Sequence, residues 1–74
     1  MRRKIAKRRR RDILALGGVF EKEEWSKENY YLVYVRHEGY EFHAVGKDEL
    51  EAYQTAIWSM KYPLDIFKIE GEST

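Results

Sequence analysis

The chain has no cysteine, a single proline and no apolar run long enough to cross a bilayer. Without cysteine there is neither a disulfide nor a thiolate metal site, so the staples of very small secreted domains are missing and a reducing, cytoplasmic setting is the expectation. Residues 30–35 form the longest apolar run beyond residue 20, far below the roughly 20 residues of a membrane span, so no membrane partner is expected. The Arg-rich start followed by residues 13–20 has the outline of a secretion signal. Against that reading stand Asp12, two glycines, and Glu21-Lys22-Glu23-Glu24 where a small-residue cleavage site belongs. A Gly-rich phosphate loop is also missing, and Ser26, Ser59 and Ser73 lack a His/Asp pair at readable spacing. No catalytic residue is assigned and no enzyme is expected. His37 and His43, with Glu38 and Glu41, fail the demand of zinc for three or four convergent ligands, because a hairpin sends His37 to its loop and His43 to a face shared with valines. No metal or other cofactor is expected.

What the chain does have is aromatic mass and segregated charge. Seventy-four residues support one core at most. Two Trp, six Tyr and three Phe can fill it, each burying on the order of 150–250 Å² when interior. The net charge of +1 conceals a split. Residues 1–11 hold eight basic side chains and no acid, hence +8, whereas residues 12–74 hold six basic and thirteen acidic side chains, hence −7. Such asymmetry speaks of partners more than of fold. The expected organisation is a basic flexible arm over 1–12, a single compact α+β domain over 13–70 and a disordered tail over 71–74.

Like charges at i,i+4 oppose a free helix in the arm, yet Lys and Arg favour helix. Ile5, Ile13, Leu14 and Leu16 give a thin apolar set, and Gly17-Gly18 is a natural stop. The reading is a helix over about 4–16 that docks by its last turns. Residues 19–25 suit a strand and a helix alike. Residues 30–35, crowded with β-branched and aromatic side chains, read as a strand, and residues 40–45 return as its partner. With His37-Glu38-Gly39 as the loop, Tyr30, Leu32, Tyr34, Tyr40, Phe42 and Ala44 share the face that meets the helix. Tyr31, Val33, Val35, Glu41, His43 and Val45 then share the other. That second face calls for a cover: the 13–20 segment, the C-terminal strand, a protein partner or a second copy.

One long helix over 47–62 follows from Leu50, Tyr53, Ile57 and Met60 at three- and four-residue steps. Asp48 and Glu51 suit its start, Lys61 its end, and Pro63 stops it. Residues 64–69 read as a short strand that would make the antiparallel three-stranded sheet four-stranded. Helix, three strands and helix over residues 4–62 resembles the topology of a double-stranded RNA-binding domain, with Asp48-Glu49 where that family has a basic helix start. The hairpin followed by Gly46-Lys47-Asp48-Glu49-Leu50-Glu51-Ala52 is similar to the arm-binding domains of phage and transposon integrases. That resemblance implies a sheet that reads a DNA groove.

The basic arm carries the functional expectation. Arg2, Arg3, Lys4, Lys7, Arg8, Arg9, Arg10 and Arg11 suit the phosphate backbone of DNA or RNA through counterion release and forked hydrogen bonds. Tyr31, Arg36 and His43 are candidate contacts on the sheet surface. A small non-enzymatic accessory protein of phage or mobile-element type, binding nucleic acid nonspecifically, is the leading expectation. The alternative is an inhibitor or adaptor whose acidic, aromatic surface docks on a larger protein.

Overall fold

The structure, a computed structural model, describes residues 2–62. Along the chain come α1 (Arg2–Ala15), β1 (Val19–Trp25), β2 (Tyr31–His37), β3 (Tyr40–Gly46) and α2 (Glu49–Lys61). The three strands form one antiparallel sheet in the order β1-β2-β3. This is the expected α+β architecture, with an N-terminal helix and a second helix packed on one sheet face. Pro63, the strand read over 64–69 and the tail at 71–74 lie outside the described residues. None of the described helices is long and apolar enough to cross a membrane.

Helix α1 begins at Arg2, two residues before the expected start, and docks along its whole length. Ala6 and Ile13, seven residues and two turns apart, are both buried, so the early turns pack as well as the last ones. Gly17 ends the helix at φ 97°, a left-handed value that costs glycine nothing. From there the Gly17 and Gly18 amides donate to the carbonyls of Leu14 and Ile13 at 3.0 and 2.9 Å, closing two carbonyls that the helix leaves unpaired.

Residues 19–25 resolve as a strand, with a bulge between Phe20 and Lys22. A bulge inserts one unpaired residue and resets which side chains share a face. Phe20 therefore stands opposite Val35 and Glu23 opposite Val33, both on the side that meets the helices. An acidic residue is thus aimed at the core by a backbone irregularity.

The β2–β3 hairpin corrects the expected faces. Its loop is the two-residue pair Glu38-Gly39, both at positive φ (50° and 83°), and His37 pairs with Tyr40 while Val35 pairs with Phe42. A one-residue difference in register exchanges the faces of a strand. Phe42 and Ala44 face the helices as expected, but their neighbours on β2 are Tyr31, Val33 and Val35 instead of Leu32 and Tyr34. Val33 and Val35 are completely buried and join Ile13, Ala44, Leu50, Ala52, Tyr53, Ala56 and Met60 in the core. β-Branched side chains fill the space beneath α2, while the larger aromatic Tyr34 stays on the solvent side. The cover required by the valine face is supplied by the two helices.

Asp48 caps α2 by accepting from the Glu51 amide at 2.9 Å, and Glu51 in turn accepts from the Lys47 amide at 2.8 Å. Gly46 ends β3 so close to this cap that a Cβ there would sit 2.3 Å from the Ala52 nitrogen. The first turn of α2 is thereby pressed directly onto the sheet. Arg2 reaches Asp48 at the start of α2, and Ala15 and Leu16 lie across a groove from Ile57 and Lys61 at its end. The helices accordingly run parallel, side by side on the same sheet face.

Candidate nucleic-acid interface

The eight N-terminal cations divide into two sets, and helical periodicity decides the division. Residues near the Ala6–Ile13 line point inward, and three of the cations there have acidic partners. Arg2 Nε lies 2.6 Å from Asp48 Oδ2, Arg9 Nη1 lies 2.7 Å from Asp12 Oδ2, and Arg10 forms a fork with Glu23 at 3.0 and 2.8 Å. Arg10 also lies 4.6 Å from the Phe20 ring centre, a cation–π distance. All three were expected to contact an external phosphate; in the structure each has an ion-pair partner within the chain.

The remaining five, Arg3, Lys4, Lys7, Arg8 and Arg11, are exposed and form no ion pair with the described residues. Lys4, Lys7, Arg8 and Arg11 stand at i, i+3, i+4 and i+7, the spacing of one helix face. They make a stripe of four positive charges along about 10 Å at 1.5 Å of rise per residue. Several like-charge neighbours at three and four residues each oppose the helix by about 0.2–0.5 kcal/mol. The first turn of α1 holds basic residues and no acid, the wrong sign for the positive end of the helix dipole. Local electrostatics therefore disfavour α1, and docking holds it in place.

Glu23 is the centre of that docking. Besides the Arg10 fork, its Oε1 accepts from the Tyr53 hydroxyl at 2.7 Å, and the Tyr53 hydroxyl lies 3.4 Å from that of Tyr31. The hydrogen bonds from Arg10, ahead of those from Tyr53, hold the Glu23 carboxyl below its ordinary range against the opposing effect of burial. Burial pushes the Tyr53 hydroxyl well above the usual tyrosine range, so it stays a donor. A hydrogen bond from Arg2, then one from the Glu51 amide, likewise lowers the Asp48 carboxyl. Glu23 was legible only as a member of an acidic body. The i,i+3 relation of Asp48 to Glu51 announced the cap, and no local signal announced the Glu23 network, which depends on the bulge.

The sheet-surface candidates separate. Tyr31 is buried at 7% exposure and faces the helices, ring edge to Tyr53 at 5.8 Å and to Trp25 at 5.3 Å; it is a core residue. Arg36 and His43 do lie on the solvent face. Arg36 stands between Glu21 at 2.8 Å and Glu41 at 3.8 Å. His43 stacks at 5.7 Å on Tyr34, with Lys22 5.7 Å from the other ring. His37 fastens the hairpin to the end of α1: its Nε2 lies 3.1 Å from the Leu16 carbonyl oxygen, an acceptor only, so that nitrogen carries the hydrogen. Among the described residues no three His, Asp or Glu side chains are grouped as a metal site.

No protein-family profile, curated protein or solved structure matches the chain.

Proposed function

We propose that the protein binds nucleic acid nonspecifically through the outward face of α1, with Lys4, Lys7, Arg8 and Arg11 as phosphate contacts and Arg3 beside them. The observation that carries this reading is the basic stripe, without an ion-pair partner among the described residues while Arg2, Arg9 and Arg10 have them. Duplex DNA presents one negative charge per about 1.7 Å of axis, and few other partners offer a comparable linear density to a row of cations this close. A stripe that works against its own helix is the kind of local conflict expected at functional positions. Phosphates beside it would relieve both the repulsion and the mismatch with the dipole.

The contacts position the protein without reading sequence. Electrophoretic mobility or anisotropy titration of unrelated duplexes tests the reading, with similar affinities for all sequences as the expected result and no binding at low salt as the refuting one. The adaptor reading rests on the other side of the molecule, where Val19 and Val45 are exposed on the uncovered sheet face among Glu21, Glu24 and Glu41. A variant with Lys4, Lys7, Arg8 and Arg11 replaced by alanine separates the two, because an adaptor would keep its activity.

A further inference from the structure

Helix α2 carries an exposed aromatic pair that the core does not use. Trp58 and Tyr62 are 55% and 53% exposed, and their rings lie 5.1 Å apart at an interplanar angle of 45°. The pair adjoins a groove of about 530 Å³ between α1 and α2, lined by Arg9, Asp12, Ala15, Leu16, Gln54, Ile57 and Lys61. Trp58 follows Gln54 by four residues and precedes Lys61 by three, so it shares their strip of helix surface. On the other wall, Ala15 follows Arg11 by four and Arg8 by seven, which places the end of the basic stripe at the groove's rim.

Resting on the nucleic-acid reading above, we propose that the preferred ligand is a single-stranded segment, whose phosphates follow the α1 stripe and whose unpaired base stacks on Trp58, with Tyr62 behind it. Charge complementarity selects this occupant: four cations without an ion pair among the described residues, on the bordering helix face, and Lys61 in the groove wall call for a polyanion, and an exposed indole offers a base its π-face. Sequence-tolerant binding to single strands combines these two elements, a basic track and an aromatic platform. A duplex can meet the stripe but keeps its bases stacked within itself, so it gains nothing from Trp58.

The test uses the full chain carrying Trp25→Phe, which leaves Trp58 as the only tryptophan. It is titrated at low salt with a thymidine 12-mer and with a 12-base-pair duplex, following both anisotropy of labelled oligonucleotide and indole emission. Expected are quenching of Trp58 by the single strand and not by the duplex, and a loss of roughly 5- to 150-fold in single-strand affinity on Trp58→Ala, the fold-change of one stacked base. Duplex affinity should be unchanged, and Trp58→Phe should recover most of the single-strand binding. Because Trp58 is exposed, thermal unfolding of each variant serves as the check on folding. Equal loss for both ligands, or tight single-strand binding with the emission unmoved, overturns the stacking site and leaves the phosphate stripe standing. Absence of binding by either ligand overturns both. A concentration-dependent emission change without oligonucleotide assigns the aromatic pair to a second copy and overturns the proposal.

Discussion

Arg10 of α1 and Glu23 of β1 face each other through two hydrogen bonds of 3.0 and 2.8 Å, and Tyr53 of α2 adds a third to the same carboxylate at 2.7 Å. Three elements are thus tied at one partly buried carboxylate, and the tie holds a helix that repels itself. Glu23→Ala removes the acceptor for both partners. Loss of hydrogen bonds to a charged group costs about 1.5–3 kcal/mol in the interior. Partial solvent access brings the expected loss down to about 1–2 kcal/mol, which in a domain this small is a fall in Tm of roughly 5–15 °C. Thermal unfolding by circular dichroism checks it, and an unchanged Tm would remove Glu23 from the docking scheme.

The same carboxylate gives the fold an acid limit. The Glu23 and Asp48 carboxyls are both held below their ordinary values, so each contributes stability that is fully present above its unfolded pKa, about 4. That contribution disappears as pH falls through the lowered folded values. Urea midpoints are therefore expected to be level from neutral pH to about 5 and to drop below about 4, with a smaller drop in Glu23→Gln. A variant as acid-sensitive as the parent would place the titrating groups elsewhere.

Arg10 and Arg11 are adjacent in sequence, yet Arg10 is ion-paired with Glu23 while Arg11 is exposed and has no ion pair among the described residues. Arg10→Ala should lower stability by about 1–2 kcal/mol and change nucleic-acid affinity little. Arg11→Ala should leave stability within about 0.5 kcal/mol and reduce the salt slope of binding by about 0.9. Parallel unfolding and binding measurements decide it; equal effects of the two substitutions on binding would mean that α1 does not present one fixed face.

Removing the stripe should help the fold. With Lys4, Lys7, Arg8 and Arg11 all replaced by alanine, several repulsive pairs of about 0.2–0.5 kcal/mol vanish and the best helix former takes each position. A rise in Tm of a few degrees is expected together with loss of binding. A large fall in Tm would show that these side chains serve the fold.

Gly46→Ala probes the contact that seats α2 on the sheet. The added Cβ meets the Ala52 nitrogen at 2.3 Å and Glu51 backbone and Cβ atoms at 2.8 Å, and backbone cannot swing away as a long side chain can. Overpacking of this kind costs about 1–3 kcal/mol. Chemical denaturation would register it, and a neutral result would mean that the strand end and the cap move apart freely.

Much of this was legible along the chain. The α2 cap and the β2–β3 hairpin follow from local rules, because Asp48, Glu51, Leu50, Tyr53 and Met60 sit at helical spacing and residues 31–35 are strand formers. What local rules could not give was parity. A two-residue loop and the bulge after Phe20 each shift the alternation by one, moving Tyr31 from the surface to the core and Glu23 from solvent to the helices. The charge count in residues 1–11 correctly marked where cations concentrate. It could not say that Arg2 and Arg10 would be ion-paired across the fold, since that depends on where Asp48 and Glu23 come to lie in space, whereas the Arg9–Asp12 pair is local, three residues apart on α1.

The number of cations left for a ligand is directly measurable. Titration of duplex DNA across a salt series, plotted as log affinity against log salt, has a slope of about −0.9 per neutralised phosphate. Five outward cations predict about −4.5; a slope near zero contradicts phosphate binding by α1, and one near −7 would mean that all eight bind and that the helix leaves its ion pairs to do so.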